Sequence, residues 1–254
     1  MHWNPEKYRE YLDERSRPFG DLVARVNVTS PRRVVDLGCG PGQLTALLAA
    51  RWPDAVVEGI DSSPEMISAA GSVKGVRFRI GDIRAWEPTG NTDVVISNAA
   101  LQWVPDHVPL LRSWAAALAS GGWLAWQVPA NFDAPSHTLL RSLAESARWN
   151  AALDGVLRHH DAARPTAEYA ALLLDAGLHA DVWETTYLHV LAGRDPVLEW
   201  MRGTGLRPVL AALSPEEASR FEAAYAQLLR EAYPATHGGT VFPFRRVFCV
   251  GHKP

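Results

Sequence analysis

The stretch Val34-Val35-Asp36-Leu37-Gly38-Cys39-Gly40-Pro41-Gly42-Gln43 decides how the rest of the chain reads. Val34, Val35 and Leu37 make a short apolar run that suits a buried strand. Gly38, Gly40 and Gly42 then let the backbone turn sharply and approach a ligand with no side chain in the way. Residues 44–50 follow as a helix whose first N–H groups point back at the turn. Strand, glycine turn and helix in this order place a nucleotide-like ligand at the C-terminal end of the strand.

The glycine spacing separates the possible ligands. A dinucleotide site needs G-x-G-x-x-G. Gly38 and Gly40 fit, but Gln43 stands at the third position and the glycine falls at 42. Asp36, two residues before the first glycine, would repel a pyrophosphate and attract a cation. S-adenosylmethionine (SAM) presents such cations in its ammonium and sulfonium. An NAD-binding module is the distant alternative, and an ordinary glycine-rich turn is the bland one.

Working outward, 56–61, 76–80, 93–97 and 123–128 read as further strands separated by helical patterns. The expected fold is α/β, a doubly wound, mostly parallel seven-stranded Rossmann-like sheet. Its last two strands, 179–191 and 241–251, form an antiparallel edge. Asp61 ends the second strand 25 residues after Asp36, where a carboxylate can accept both hydroxyls of a ribose. Ser63 suits the cap of the next helix, with Pro64 in its first turn, which leaves Asp61 and Ser62 for a ligand. Met66 falls where it can cover an adenine face. Gly81-Asp82-Ile83 ends the third strand; Asp82 is a candidate for the adenine amine, or simply a turn residue. Ser97 and Asn98 end the fourth strand. Ala99 and Ala100 leave room for a methyl group, and Gln102 and Trp103 extend over the site.

Composition bounds the rest. The chain has 254 residues and a net charge of −3, which argues for no nucleic-acid or membrane surface. Cys39 and Cys249 make no disulfide framework. No leader-like or bilayer-length apolar run stands out, so the reading is cytoplasmic. Residues 1–254 read as one domain: an N-terminal helical lid over 1–30, a ligand-binding core over 31–130, and helical insertions at 131–165 and 192–240 as a substrate cap. Two helices are expected before the first strand, divided near Pro18. Trp3 and Tyr8 are lid candidates for substrate contact. The ten tryptophans include several beside polar segments, where a pocket can use them. His107, His159, His160 and His189 have no metal-ligand spacing, and no metal is expected.

The four strand-end signals together resemble a class I SAM-dependent methyltransferase. Over nearly the whole chain the sequence resembles the trans-aconitate 2-methyltransferase family. The resemblance rests on Trp3, Pro5 and Tyr8, on the Ser97–Trp103 segment, and on Trp200-x-Arg202-Gly203-Thr204-x-Leu206-Arg207-Pro208. It implies O-methylation of a small polycarboxylic acid to a monomethyl ester, with release of S-adenosylhomocysteine. A malonyl-carrier-protein O-methyltransferase is the alternative with the same early motifs. A polyacid needs cationic, bidentate partners. Arg202 and Arg207 flank a Gly-Thr-Gly break that can aim them and Thr204 into one pocket. Arg245 and Arg246 alternate on the last strand and are expected as solvated charges. A carboxylate is already ionised near neutral pH, so no catalytic acid or base is assigned. Oligomeric state is not encoded in any motif, and a monomer is compatible.

Overall fold

The computed structural model describes residues 12–157 and 162–254, with side chains from residue 16. Five parallel strands form its centre: β1 (Arg33–Leu37), β2 (Val56–Asp61), β3 (Val76–Ile80), β4 (Val94–Asn98) and β5 (Trp123–Pro129). Their spatial order is β3-β2-β1-β4-β5. β1 lies between β2 and β4, with Asp36 beside Gly59 and Ile96. The chain leaves β1 toward one edge and returns at β4 toward the other. A crevice therefore opens past the C-terminal ends of β1 and β4. Helices Gln43–Arg51, Pro64–Ala70 and His107–Ala117 make the crossovers. β4 is buried along its whole length, as a strand covered on both faces must be.

β6 (His179–Leu191), β7 (Ala235–Thr236) and β8 (Gly239–His252) complete the sheet, with β8 beside β5 and β6 at the edge. β8 runs antiparallel to β5. Gly121 N–H donates to the Lys253 carbonyl and Ala130 N–H to the Arg245 carbonyl. This is the expected mostly parallel sheet with an antiparallel edge.

The chain packs into two compact units. The first comprises Met1–Val128, Ala162–Thr185 and Val247–Pro254. In its core Trp86 and Trp114 meet edge to face at 5.8 Å, and Trp114 Nε1 donates to the Trp86 carbonyl at 3.0 Å. The second comprises Pro129–Asp161 and Thr186–Arg246. It holds helices Pro135–Ala144, Asn150–Leu153, Pro196–Arg202, Arg207–Ala212 and Pro215–Ala232. There the Tyr225 hydroxyl donates to the Ser136 carbonyl, and Ser136 N–H donates to the Tyr233 hydroxyl at 3.0 Å. Trp200 stacks on His189 at 5.0 Å and meets Phe242 at 5.7 Å.

Four expectations from sequence change. The division at Pro18 is absent: one helix, Leu12–Val23, runs through the proline. An interior proline costs about 3 kcal/mol. Phe19 and Leu22, both buried, offset it at roughly 1.5–3 kcal/mol each. Most described tryptophans are core rather than pocket: Trp52, Trp86, Trp114, Trp126, Trp149 and Trp200 are all buried. Their area and their one N–H donor suit a packed interior as well as a binding site. Arg246 is buried too, at 4 % exposure, with its guanidinium 4.7 Å from the Phe244 ring centre. Arg245 is half-buried and donates through Nε to the Ala130 carbonyl at 3.0 Å. Strand alternation separates the two side chains but says nothing about what packs over each face. Trp3, Tyr8, His159 and His160 lie outside the described residues.

Candidate functional site

A cleft of about 320 Å³ opens at the C-terminal ends of the central strands, within the first unit. The glycine turn contributes Gly38 and Gly40, and the loop after β2 contributes Asp61, Ser62 and Met66. Asp82 and Ile83 come from the end of β3, and Asn98 and Trp103 from the loop after β4. Sequence reasoning did not single out Arg84, Val104 and Pro105, which line it as well.

The three turn glycines are required for three different reasons. All have positive φ, at 79°, 54° and 79° for Gly38, Gly40 and Gly42. A Cβ on Gly38 would stand 2.2 Å from Ala100 Cβ, because the turns after β1 and β4 meet there. A Cβ on Gly42 would stand 2.5 Å from Phe78 Cζ. A Cβ on Gly40 would meet no protein atom within 4 Å. Gly40 thus shows bare backbone to open space in the cleft, where a ligand can approach closely.

Asp61 does more than wait for a ligand. Its Oδ2 accepts the Gly40 N–H at 2.9 Å and its Oδ1 accepts the Ser63 N–H at 2.9 Å. It fastens the glycine turn to the β2 turn, and each oxygen keeps a second lone pair. Ser63 takes the cap position: its Oγ accepts the Met66 N–H at 3.2 Å and donates to Glu65 Oε2 at 2.6 Å. Ser63→Ala is expected to cost ~1 kcal/mol in urea denaturation. No loss of stability would mean that water caps this helix equally well.

Asp82 faces the cleft with a partner. Arg84 grips its carboxylate, Nε to Oδ2 at 2.9 Å and Nη2 to Oδ2 at 2.5 Å. The Arg84 side chain and backbone N–H hold the Asp82 carboxyl below the usual carboxylate range. The signal was an arginine two residues after the aspartate, within reach of the same turn.

Asp36 lies off the cleft walls. It is 2 % exposed, and Thr45 Oγ1 donates to its Oδ2 at 2.6 Å. Burial pushes its carboxyl up to about 7, the Thr45 hydrogen bond opposes the shift, and the Asp61 charge adds to it. Ser97 is likewise internal, its Oγ donating to the Leu37 carbonyl at 2.9 Å. Gly42 is the cap residue of helix Gln43–Arg51. Gln102 turns inward and donates to the Ala99 carbonyl at 2.7 Å.

The remaining candidates belong to the second unit. Arg202 donates through Nε to Glu222 Oε1 at 2.6 Å and through Nη1 to Glu199. Thr204 Oγ1 donates to the Trp200 carbonyl at 3.2 Å. Arg207 is half-buried at the start of helix Arg207–Ala212. The break between the two helices is real. Arg202 is held there by neighbouring acids and Thr204 by the main chain of the preceding helix.

Among the described residues, no helix is long and apolar enough to cross a membrane. A family model described as a methyltransferase domain matches residues 8–184. A trans-aconitate 2-methyltransferase of Streptomyces avermitilis is 53% identical over 260 residues, covering 99% of this chain and 97% of that protein. Another from Mycobacterium sp. (strain KMS) is 56% identical, covering 98% of each. The chain belongs to the trans-aconitate 2-methyltransferase family. Solved structures support the fold of this family member at lower identity. The YcgJ protein of Bacillus subtilis superposes with a TM-score of 0.57 at 17% identity, covering 93% of this chain and 98% of its own. Haemonchus contortus phosphoethanolamine N-methyltransferase 2, solved with S-adenosyl-L-methionine, gives 0.54 at 15% identity, covering 94% of this chain and 52% of its own. In this trans-aconitate 2-methyltransferase family chain the cleft sits where the strand order reverses, the place an α/β sheet offers a ligand.

Proposed function

We propose that the protein transfers a methyl group from SAM to a carboxylate of trans-aconitate, giving the monomethyl ester and S-adenosylhomocysteine. The observation that carries this reading is near full-length identity of 49–56% to proteins of that activity. The cleft has the features SAM needs. Gly40 shows bare backbone to open space, Asp61 offers carboxylate lone pairs for a ribose, and Met66 and Ile83 offer apolar surface for an adenine. Asp36, buried with its carboxyl raised to about 7, can ionise when a cation binds near the glycine turn and so favours one there. Bound there, SAM supplies a methyl group on a positively charged sulfur, which a carboxylate oxygen can take in line.

The residues of this chain then have to align rather than to move protons. The acceptor carboxylate is ionised near neutral pH. Alignment of two bound reactants contributes on the order of 7–11 kcal/mol to such a reaction. Acid recognition falls to the Arg202–Arg207 segment. Glu199 and Glu222 balance Arg202, so Arg202 and Thr204 hold the turn, and Arg207, a planar bidentate donor in the same motif, is assigned to a substrate carboxylate. Trp3, Tyr8 and Trp103 remain candidates for acid contact from the sequence.

A transfer assay with labelled SAM against trans-aconitate, cis-aconitate, isocitrate, citrate and malonate tests it. Base-labile ester is expected to form best on trans-aconitate. Arg207→Ala is expected to raise the acid KM roughly 10-fold or more, from the loss of a charged hydrogen bond, with S-adenosylhomocysteine binding unchanged. Wild-type KM in that variant would remove Arg207 from the acid site. Ester on no free acid, with S-adenosylhomocysteine still bound, would move the acceptor to a larger or carrier-bound acid.

A further inference from the structure

The geometry points to Gln127 as a positioning residue that turns the Asn98 amide so that its NH₂ group donates into the cleft, to a carboxylate. This deepens the methyl-transfer reading and rests on it for the identity of that carboxylate.

Gln127 lies on β5 at 1 % exposure and is no part of the cleft wall. It grips the loop after β4 twice. Its side chain Nε2 donates to Asn98 Oδ1 at 2.8 Å. Its main-chain carbonyl accepts the Ala99 N–H at 3.0 Å. Ala99 has φ 54°, a conformation that costs an L-residue roughly 1–2 kcal/mol and persists only where neighbours impose it. Gln102 imposes it from the other side, through the Ala99 carbonyl.

A carboxamide is planar, with its acceptor and donor ends on opposite sides. With Oδ1 engaged by Gln127, the Nδ2 end of Asn98 faces away from it. Asn98 lines the cleft, and among the described residues nothing hydrogen-bonds to its Nδ2. The charge of the walls agrees. Asp61 and the Arg84-paired Asp82 sit on the β2 and β3 side, while the β4 side shows Asn98, Ala99 and Ala100 and no acid. A carboxylate is repelled by Asp61 at the first side and meets no acid at the second. It belongs either to the amino-acid end of the cofactor or to the acid being methylated.

Gln127→Glu reverses the polarity of this contact in a controlled way. The introduced carboxyl, when ionised, can only accept. Asn98 must then turn its NH₂ inward and show a carbonyl oxygen to the cleft. When protonated, the same carboxyl can donate to Oδ1 and restore the native arrangement. Burial raises its pKa above that of an exposed glutamate. The measurements are the S-adenosylhomocysteine Kd by calorimetry and the trans-aconitate KM from pH 6 to 8, beside wild type. The expected result is a loss of roughly 10-fold or more at pH 8 in one of them, recovering toward wild type at pH 6. A loss in Kd assigns the cofactor's carboxylate, and a loss in KM alone assigns the acid's.

Wild-type constants across that range overturn the inference. So does a loss that stays constant with pH, which marks packing only. If the charged variant does not fold, Gln127→Met decides instead, because it keeps the volume and cannot donate. Weaker binding at unchanged Tm supports the role, and unchanged binding removes it. The two readings fail separately. Ester on no free acid would defeat the proposed function while leaving the Kd arm intact.

Discussion

Asp36→Asn is expected to stabilise the protein at pH 8 and to flatten its pH dependence between about pH 4 and 7. In the folded protein the Asp36 carboxyl keeps its proton up to about pH 7, against 3.8 for the ordinary group. Between those values the folded state binds more protons than the unfolded one, so stability falls as pH rises. The contribution is complete below pH 3.8 and is lost by about pH 7. At 1.36 kcal/mol per unit it amounts to on the order of 4 kcal/mol, as an upper bound. Asparagine keeps an acceptor for Thr45 and carries no charge to bury. Urea denaturation of both proteins at pH 5 and pH 8 measures it. Parallel pH slopes would show that Asp36 is not the titrating group. The same carboxyl couples to ligand: a cation above it favours the ionised form, so SAM binding near pH 6.5 is expected to release a proton in wild type and none in Asp36→Asn. Calorimetry in two buffers of different ionisation enthalpy reads that difference.

Gly38→Ala is expected to be the most disruptive change in the glycine turn. It places a methyl group 2.2 Å from Ala100 Cβ and forces an L-residue to φ 79°. The backbone conformation costs roughly 1–2 kcal/mol and overpacking typically another 1–3 kcal/mol. The expected outcome is a lower Tm and weaker S-adenosylhomocysteine binding together. Adding Ala100→Gly removes the colliding atom, so the double variant is expected to recover the overpacking share and keep the strain. Simple additivity of the two substitutions would contradict the contact. Gly40→Ala provides the contrast. Its Cβ meets no protein atom, so Tm is expected to fall by the strain alone, while ligand affinity falls much further. Equal losses in the two variants would mean that the space beside Gly40 is not where the ligand lies.

Much of the fold and part of the site were legible before any coordinates. Apolar runs ending in Gly38, Asp61, Asp82 and Asn98 carry period and punctuation together, and local sequence determines both. Side-chain direction at Asp61 was less legible. Its backbone partners, Gly40 and Ser63, come from two different turns that meet only when β1 and β2 pair in register. Asp82 reads as a lone acid until Arg84 folds back on it through a short 3-10 turn.

The sequence by itself determined the order of strands and helices, the glycine turn, the helix cap at Ser63 and the antiparallel edge, because each depends on backbone preferences within a few residues. It also determined the family, through motifs spread over the whole chain. Only the tertiary structure decided what each polar group faces. Asp36 is neutralised by burial rather than exposed to a ligand, Arg246 lies over an aromatic ring, Arg202 is shared between two glutamates, and Gln127 reaches Asn98 across the sheet. Those outcomes depend on partners distant in sequence and on the water their packing excludes, and neither is encoded in local spacing.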